Sequence, residues 1–573
     1  MSVVGIDFGT TNSVVAVNGP SGVEALPIDR PPADWATLGF DRVMPTIFGV
    51  SPDGEPVFGW EAKVGTDEKI EAVKRLFREE EVVQIGDRTF MVEEVASLLF
   101  SHMKKRAQES GVDPRKCVVT VPANSRGLAR FRTKVCAGMA GMEVLALINE
   151  PTAAAMAHSA KSSFDQRLMV VDWGGGTLDV TVLQASEGVF IEQASKGIQQ
   201  LGGLDFDARL AKSILESVPD SDRWSGIMRA EFRLAVERAK ILLSSQEFTT
   251  VPLPNGEVRR VTRQDFDDSA RALVERVRQP IEQCLRDING QPADIDALIL
   301  VGGTCNIPLV RNFIGGLLET APAEGVNPMT AIAEGAAIAA SIMSGELEDN
   351  DFFVGTEHAL GTFVVGSSGG LEFSTLIARN HKLPAKATES FVPVYDDQVS
   401  VVVKVVEGDP EVPTDHEDNV VLREIEFALP DRATRGEKAV EMTYTYDLDG
   451  ILHVSVVDEM TGNTLVQEDV SFGVGTDRRG LVTLANRVRS TMDTHQVGDD
   501  YRSDRNDSDS DGVPPDLAVL LQRAKTKVIP FVDAAEAAEI RKLVGQIEHS
   551  SGSAQRQAGA ALEDALAPYS YLF

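Results

Sequence analysis

Val170-Val171-Asp172-Trp173-Gly174-Gly175-Gly176-Thr177-Leu178-Asp179, continued by Val180-Thr181-Val182, reads as an apolar strand, a glycine turn and a second, alternating strand. Three consecutive glycines let the backbone approach a ligand, and their N–H groups can converge on an anion. Asp172 at the mouth of the turn is an acceptor-only carboxylate suited to the water shell of a magnesium ion, and Thr177 adds a hydroxyl beside it. One such run is equally well read as a tight hairpin capped by its own carboxylate. The run occurs twice, however. Val3-Val4-Gly5-Ile6-Asp7-Phe8-Gly9-Thr10-Thr11-Asn12-Ser13-Val14-Val15 has the same order of apolar strand, Asp, aromatic, glycine, hydroxyl residues and strand. Two copies imply a duplicated lobe. Facing each other across a cleft, the two hairpins would grip a polyphosphate from both sides and bring two carboxylates to its metal.

A chain of 573 residues exceeds a single core and implies roughly three or four domains. The net charge of −32 argues against nucleic acid and against anionic membrane surfaces. A core strand already under way at residue 3 leaves no room for a signal peptide, and no uncharged apolar run is long enough to span a bilayer. The cysteines (Cys117, Cys136, Cys284, Cys305) lack metal-ligand spacing and read as reduced, buried thiols, which points to the cytoplasm.

Residues 1–345 alternate strands with helices, the pattern of a layered α/β architecture with parallel strands. Helices are expected over 67–80, 93–110, 125–141, 153–159, 206–216 and 228–244, and buried strands over 117–121 and 298–301. In the first helix Ile70, Val73, Leu76 and Phe77 form one stripe, with Lys74 off it. The last carries Glu237, Lys240 and Ser244 on neighbouring turns. Neither a Walker A pattern nor a dinucleotide fingerprint is present. Glycine turns at Gly9, Gly174 to Gly176, Gly202-Gly203 and Gly302-Gly303 still make a nucleotide-site signal together, and the turn before a helix can lend that helix's N-terminus to a phosphate.

The pattern changes at Glu346. Residues 346–357 read as an acidic linker closed by Phe352, Phe353 and Val354, and 358–476 as an antiparallel β domain. Its stretch 399–406 is so apolar that both faces should be covered, and Asp449-Gly450 signals a hairpin. No acid, base and nucleophile converge there, so it reads as a binding module. Residues 477–573 read as short amphipathic helices forming a lid or small bundle, broken by an acidic tether over 497–513.

Taken together, Ile6-Asp7-Phe8-Gly9-Thr10-Thr11-Asn12-Ser13, Val121-Pro122-Ala123, Asn149-Glu150-Pro151-Thr152-Ala153-Ala154-Ala155, Asp172-Trp173-Gly174-Gly175-Gly176-Thr177, Leu201-Gly202-Gly203, Glu237-Arg238-Ala239-Lys240, Leu300-Val301-Gly302-Gly303 and Asp449-Gly450-Ile451-Leu452-His453-Val454-Ser455 resemble the DnaK-type heat-shock chaperones of the heat shock protein 70 family. The resemblance runs to about Phe472. It implies an actin-like ATPase of two lobes, an antiparallel β-sandwich that binds peptides, and a small α-helical C-terminal lid. It further implies ATP, ADP and Mg2+ as ligands, unfolded polypeptides as clients, and J-domain cochaperones and nucleotide-exchange factors as partners.

Carried over by position, Asp7 and Asp172 would hold the magnesium through water, with Glu150 contributing to the shell. Gly9, Thr10, Thr11, Asn12 and Gly174, Gly175, Gly176 and Thr177 would wrap the phosphates, with Asp179, Gly202 and Gly203 beside them. Lys74 matches the lysine that orients the attacking water; Glu237, Lys240 and Ser244 match adenosine contacts; Gly302 and Gly303 close the pocket. Pro122 and Arg130 match a pair that relays nucleotide state, and Phe391, Val401 and Val403 match the apolar peptide pocket.

The departures are specific. Asn306 stands where an arginine usually stacks on adenine, which leaves base affinity open, and Met329 replaces an acidic residue. The linker Asp351-Phe352-Phe353-Val354 replaces a leucine run, and Ala146 a basic residue, both at positions serving J-domain docking. Thr362 replaces a larger apolar residue of the peptide pocket. A divergent, specialised member is expected. The alternatives are a nucleotide-binding interaction protein with weak or uncoupled turnover, and a small-molecule kinase on the actin-like fold, for which the appended β domain is superfluous.

Overall fold

Both hairpins exist, each set into a sheet in the same way. The computed structural model describes the chain from Ser2 to Leu572 except residues 79–81, 124, 126, 160–164, 187–188, 220, 348–355, 357, 367–368, 380, 383, 397, 417–418, 430–438, 447–451, 471–477, 494–516, 518–519, 522, 530–531, 533 and 551. The linker residues Phe352, Phe353 and Val354, the Asp449-Gly450 turn and the acidic tether lie outside the described residues. Two compact units result, one of Met1–Ala123, Arg132–Asp351 and Thr476–Phe573, the other of Asn124–Phe131 and Phe352–Gly475.

In the first unit, strand Ser2–Phe8 pairs antiparallel with Asn12–Gly19 and parallel with Pro114–Val121, which in turn pairs parallel with Glu143–Asn149. In the second sheet, Gln166–Trp173 pairs antiparallel with Leu178–Ser186 and parallel with Ala297–Val301. The aspartate therefore ends a strand flanked by one antiparallel and one parallel neighbour in both copies. The sheets are mixed rather than purely parallel, because each hairpin adds an antiparallel edge to a βα framework.

Helix Ala331–Met343 packs the first copy's sheet against helix Glu150–Ser159, which also packs on the second copy's sheet. A Cβ on Gly5 would overlap the backbone at Ala337, and one on Gly335 would overlap Ala153 O of helix Glu150–Ser159. Strand and helices meet backbone to backbone, so only glycine fits at either point. That approach sets Glu150 near Asp7.

The expected helix over 67–80 does not form. Strand Lys69–Glu71 is followed by Ala72 at φ 58°, and only then by a 3₁₀ helix, Val73–Arg78. The left-handed residue breaks the helical path. Val73 and Phe77 are buried as their stripe requires, and Lys74 is nine-tenths buried in an ion pair. The helices Val92–Glu109, Gly127–Met139, Glu150–Ser159, Gly203–Leu215 and Gly226–Leu243 stand where expected within a few residues.

The C-terminal helices Arg478–Asp493, Ala534–Glu548 and Gly552–Leu566 group with this unit. Arg487 pairs with Glu94 at 2.9 Å, Lys116 with Glu563 at 3.0 Å and Arg115 with Asp564 at 2.8 Å. Each pair has an exposed partner and adds little stability on its own.

The second unit holds two four-stranded antiparallel sheets. One runs Leu371–Ile377, Ala359–Val365, Ser400–Gly408, Val420–Ala428; the other Ala385–Phe391, Val440–Tyr446, Leu452–Asp458, Thr464–Val470. Strict alternation of burial along Leu452–Asp458 gives each strand one core face. The buried Tyr444 hydroxyl donates to Gly361 O at 3.0 Å, tying one sheet to the other. The stretch 399–406 is not covered on both faces. Val399 is 78% exposed and Val402 49%, and only Val405 and Val406 are wholly enclosed.

Candidate nucleotide site and apolar peptide face

Asp7 closes strand Ser2–Phe8 and accepts a hydrogen bond from Thr120 Oγ1 at 3.3 Å. Asp172 lies opposite Asp179 in the second hairpin. Glu150 opens its helix, and Lys74 Nζ stands 2.7 Å from its carboxylate, the side chains 9% and 10% exposed for lysine and glutamate. Crowding shows in the titration of these groups. The Asp7 carboxyl is raised to about 7, first by desolvation, then by Glu150, against the pull of Lys74 and Thr120. Asp172 is held well above the usual carboxylate range by desolvation, then by Glu150, Asp179 and Asp7. Carboxyls that repel each other to this degree favour a cation among them. Among the described residues no three His, Cys, Asp or Glu side chains stand close enough to hold an ion directly. Crowded carboxyls of this kind would suit a magnesium ion held through its own waters.

Around the carboxyls the glycine turns interlock. Gly174 N donates to Thr177 O at 3.1 Å, Gly203 N to Gly174 O at 3.0 Å, Leu204 N to Gly175 O at 2.9 Å, and Thr304 Oγ1 to Gly174 O at 2.8 Å. A Cβ on Gly202 would overlap the backbone of Gly175 and Gly176, and Gly302 at φ 83° packs on Trp173 so closely that a Cβ would lie 2.5 Å from its backbone. A Cβ on Gly175 would overlap Thr11 Oγ1 from the other hairpin, and that buried hydroxyl has no hydrogen-bond partner among the described residues. An orphaned hydroxyl at the meeting of two glycine turns fits a phosphate oxygen. Gly9 is required at the first turn, where a Cβ would overlap Asn12 O. Thr10 lies in that turn.

On helix Gly226–Leu243, Lys240 reaches Asp207 at 2.8 Å and Gly203 O at 3.1 Å, tying the helix to the Gly202-Gly203 turn. Ser244 is its C-cap. Glu237 pairs with Lys63 at 2.7 Å. Burial alone would raise the Glu237 carboxyl, but Lys63 and Lys240 hold it below its ordinary value. Asn306 is exposed at the end of the 3₁₀ turn Gly303–Asn306. All four cysteines are buried thiols, and burial pushes the Cys305 thiol far up.

Sequence reasoning missed two cations. Arg75 Nη2 donates to Gly176 O at 2.9 Å, bringing a guanidinium to the triple-glycine turn. Lys63 lies 5.1 Å from the ring centroids of both Trp35 and Trp60 while it pairs with Glu237. Only the Lys74-Arg75 doublet carried a hint of the first. For the second there was none, since its partner is 174 positions away.

In the β-rich unit, Thr362 is buried opposite Val405, so it shares a sheet face with Val403 and Val401, both half-buried. Phe391 ends a strand of the other sheet, opposite Val440. Val392, Val394, Tyr395 and Val399 leave an exposed apolar surface beside these residues in sequence. Pro122 follows strand Pro114–Val121 and Arg130 is buried in helix Gly127–Met139; the first falls in one unit, the second in the other.

The raised carboxyls fix a pH dependence. A carboxyl whose folded pKa exceeds its unfolded one costs stability as pH rises from about 4, and the cost is complete above about 7 for Asp7. A divalent cation offsets that cost, but only once the protons have left. Thermal stabilisation by Mg2+ with ADP is therefore expected to be larger at about pH 8 than at about pH 6. Equal shifts in melting temperature at the two pH values would contradict the assignment.

A family model described as Hsp70 protein matches residues 62–566. Chaperone protein DnaK of Thermosipho melanesiensis is 33% identical over 584 residues, covering 95% of each chain. That of Thermosipho africanus is 36% identical over 485 residues, 80% of this chain and 78% of its own. That of Thermotoga neapolitana is 32% identical over 588 residues, 96% of each chain.

Proposed function

The chain belongs to the Hsp70 family, and from that premise we propose how its residues divide the work of an ATP-dependent chaperone. Its family makes it an ATPase that uses ATP, ADP and Mg2+, and whose hydrolysis of ATP to ADP and phosphate governs its hold on short apolar stretches of unfolded polypeptides. The observation that carries the residue assignment is the nearly buried Lys74–Glu150 pair, whose charges act on both Asp7 and Asp172. Lys74 places and polarises the attacking water, and Glu150 orients Lys74. Thr11, Thr177 and the N–H groups of the Gly174 to Gly176 turn bind the phosphate oxygens. Arg75 and Lys74 supply positive charge where the transferred group becomes more negative. Bound magnesium would neutralise phosphate charge and would be held through water by Asp7 and Asp172. Phosphoryl transfer to water asks chiefly for such positioning and charge.

We assign residues 1–345 to nucleotide, 358–476 to peptide and 477–573 to a lid, with 346–357 as linker. Val401, Val403 and Phe391 anchor an apolar side chain of an extended peptide, and the smaller Thr362 reshapes that pocket. Pro122 and Arg130 relay the nucleotide state. A J-domain cochaperone and an exchange factor complete the proposed partners, and the four unpaired thiols favour the cytoplasm. Among the described residues no helix is long and apolar enough to cross a membrane. Exposed Asn306 favours a second reading, a nucleotide-binding interaction protein with little turnover.

Release of a fluorescent unfolded peptide on adding Mg-ATP decides between them. The chaperone reading expects faster release in the wild type and peptide binding at least about tenfold weaker in Val403→Asp, since a charge then enters the apolar pocket. Peptide that binds but leaves at the same rate with and without ATP would favour the second reading.

A further inference from the structure

Lys74 and Arg75 ride on a 3₁₀ helix that something must hold still. Ala72 before it sits at φ 58°, a conformation that a residue with a side chain keeps only when its surroundings impose it. At the far end, Arg132 Nη1 donates to Phe77 O at 2.8 Å and to Leu76 O at 3.4 Å. Arg132 is in turn 2.8 Å from Glu93, through Nε and Oε1, with the two side chains only 4% and 1% exposed. Glu93 lies in the first turn of helix Val92–Glu109, where its carbonyl takes Ser97 Oγ at 2.6 Å and Cys136 Sγ at 3.6 Å. The carboxylate Oε2 has no hydrogen-bond partner among the described residues. The pair is thus a close charge contact without full hydrogen bonding.

As a stabiliser, such a pair makes little sense. Apolar side chains of similar volume do as well or better in a core, since both ions lose their water. Its geometry serves another end. The guanidinium grips the last carbonyls of the 3₁₀ helix, and Glu93 fixes the guanidinium. On that same short helix Lys74 must reach Glu150 and Arg75 must reach Gly176 O. We propose that Glu93 and Arg132 are positioning residues for ATP hydrolysis, holding the Val73–Arg78 turn so that Lys74 and Arg75 stay aimed into the cleft. The proposal rests on the assignment of Lys74 made above. Misplacing a reacting group by about 1 Å costs up to a hundredfold in rate, so a rigid mount has a kinetic effect that packing alone does not.

The test uses the full chain. Removing one partner would strand a buried charge, so the informative variant removes both: Glu93→Leu with Arg132→Met. It is expected to fold with a melting temperature near the wild type's. Its single-turnover hydrolysis should fall about tenfold while its dissociation constant for ATP stays within about twofold. Glu93→Asp, which keeps the charge beside Arg132 and shortens its reach, should show the same split at about threefold, and it carries the test if the double variant does not fold. Lys74→Ala is measured in parallel. If it loses hydrolysis while the folded variants turn over at the wild-type rate, the pair is merely packing and the inference is wrong. If Lys74→Ala itself keeps the wild-type rate, the site assignment fails first and the inference falls with it.

Discussion

Lys74→Ala is expected to slow single-turnover ATP hydrolysis by about a hundredfold or more and to leave nucleotide affinity within roughly threefold. The split follows from where the lysine stands. Its Nζ lies 2.7 Å from Glu150, among carboxyls that desolvation and mutual repulsion have pushed up, whereas Glu237 pairs with Lys63 and Lys240 with Asp207. On the assignment proposed above, removing it strips charge and orientation from the place where water would attack and leaves the proposed adenosine contacts in place. The phosphate turns also survive, since their bonds run between Gly174, Gly175, Gly203, Leu204 and Thr304. ATP should therefore still bind and still speed peptide release, while phosphate release stalls. A variant that loses binding in proportion to hydrolysis would show Lys74 to be an affinity residue. One that hydrolyses normally would remove it from the mechanism.

Much of this site could be read from the sequence because it is local. Asp7 with Gly9 and Thr11, or Asp172 with Gly174 to Thr177, lie within a few positions, and a strand, a turn and a strand fix their arrangement with little help from the rest of the chain. What escaped was of two kinds. The turn at Ala72 was read as helix because the spacing of Val73, Leu76 and Phe77 fits a helix and a 3₁₀ turn almost equally over six residues. Only the left-handed φ of Ala72 separates them, and alanine carries no signal for it. The second kind is pairing across the chain. Lys63 with Glu237, Arg132 with Glu93 and Arg75 with Gly176 each join positions that a single sequence does not connect. The β-rich unit erred differently. A run of valines over 399–406 meets the composition of a doubly covered strand, but its first half is an exposed apolar face, which suits a peptide site better than a core.

The largest loss of stability should come from a single methyl group at a helix crossing. Gly335→Ala places a Cβ into Ala153 O, where helix Ala331–Met343 crosses helix Glu150–Ser159. The obstacle is a backbone carbonyl in a helix interior, so no side chain can turn aside. One of the helices must move instead. Overpacking usually costs 1–3 kcal/mol, and a clash with main chain belongs at or above the top of that range, about 3 kcal/mol. For a unit this large that corresponds to a drop of roughly 3 °C or more in the transition of the first unit. The β-rich unit should melt unchanged, which calorimetry resolving two transitions can check. The same displacement carries Glu150, which opens the crossed helix, away from Lys74. Hydrolysis should therefore fall further than the melting temperature explains, even at temperatures where the variant is folded. Normal hydrolysis in a destabilised Gly335→Ala would mean that Glu150 is held by its own strand, Glu143–Asn149, and that the helix crossing serves the fold alone.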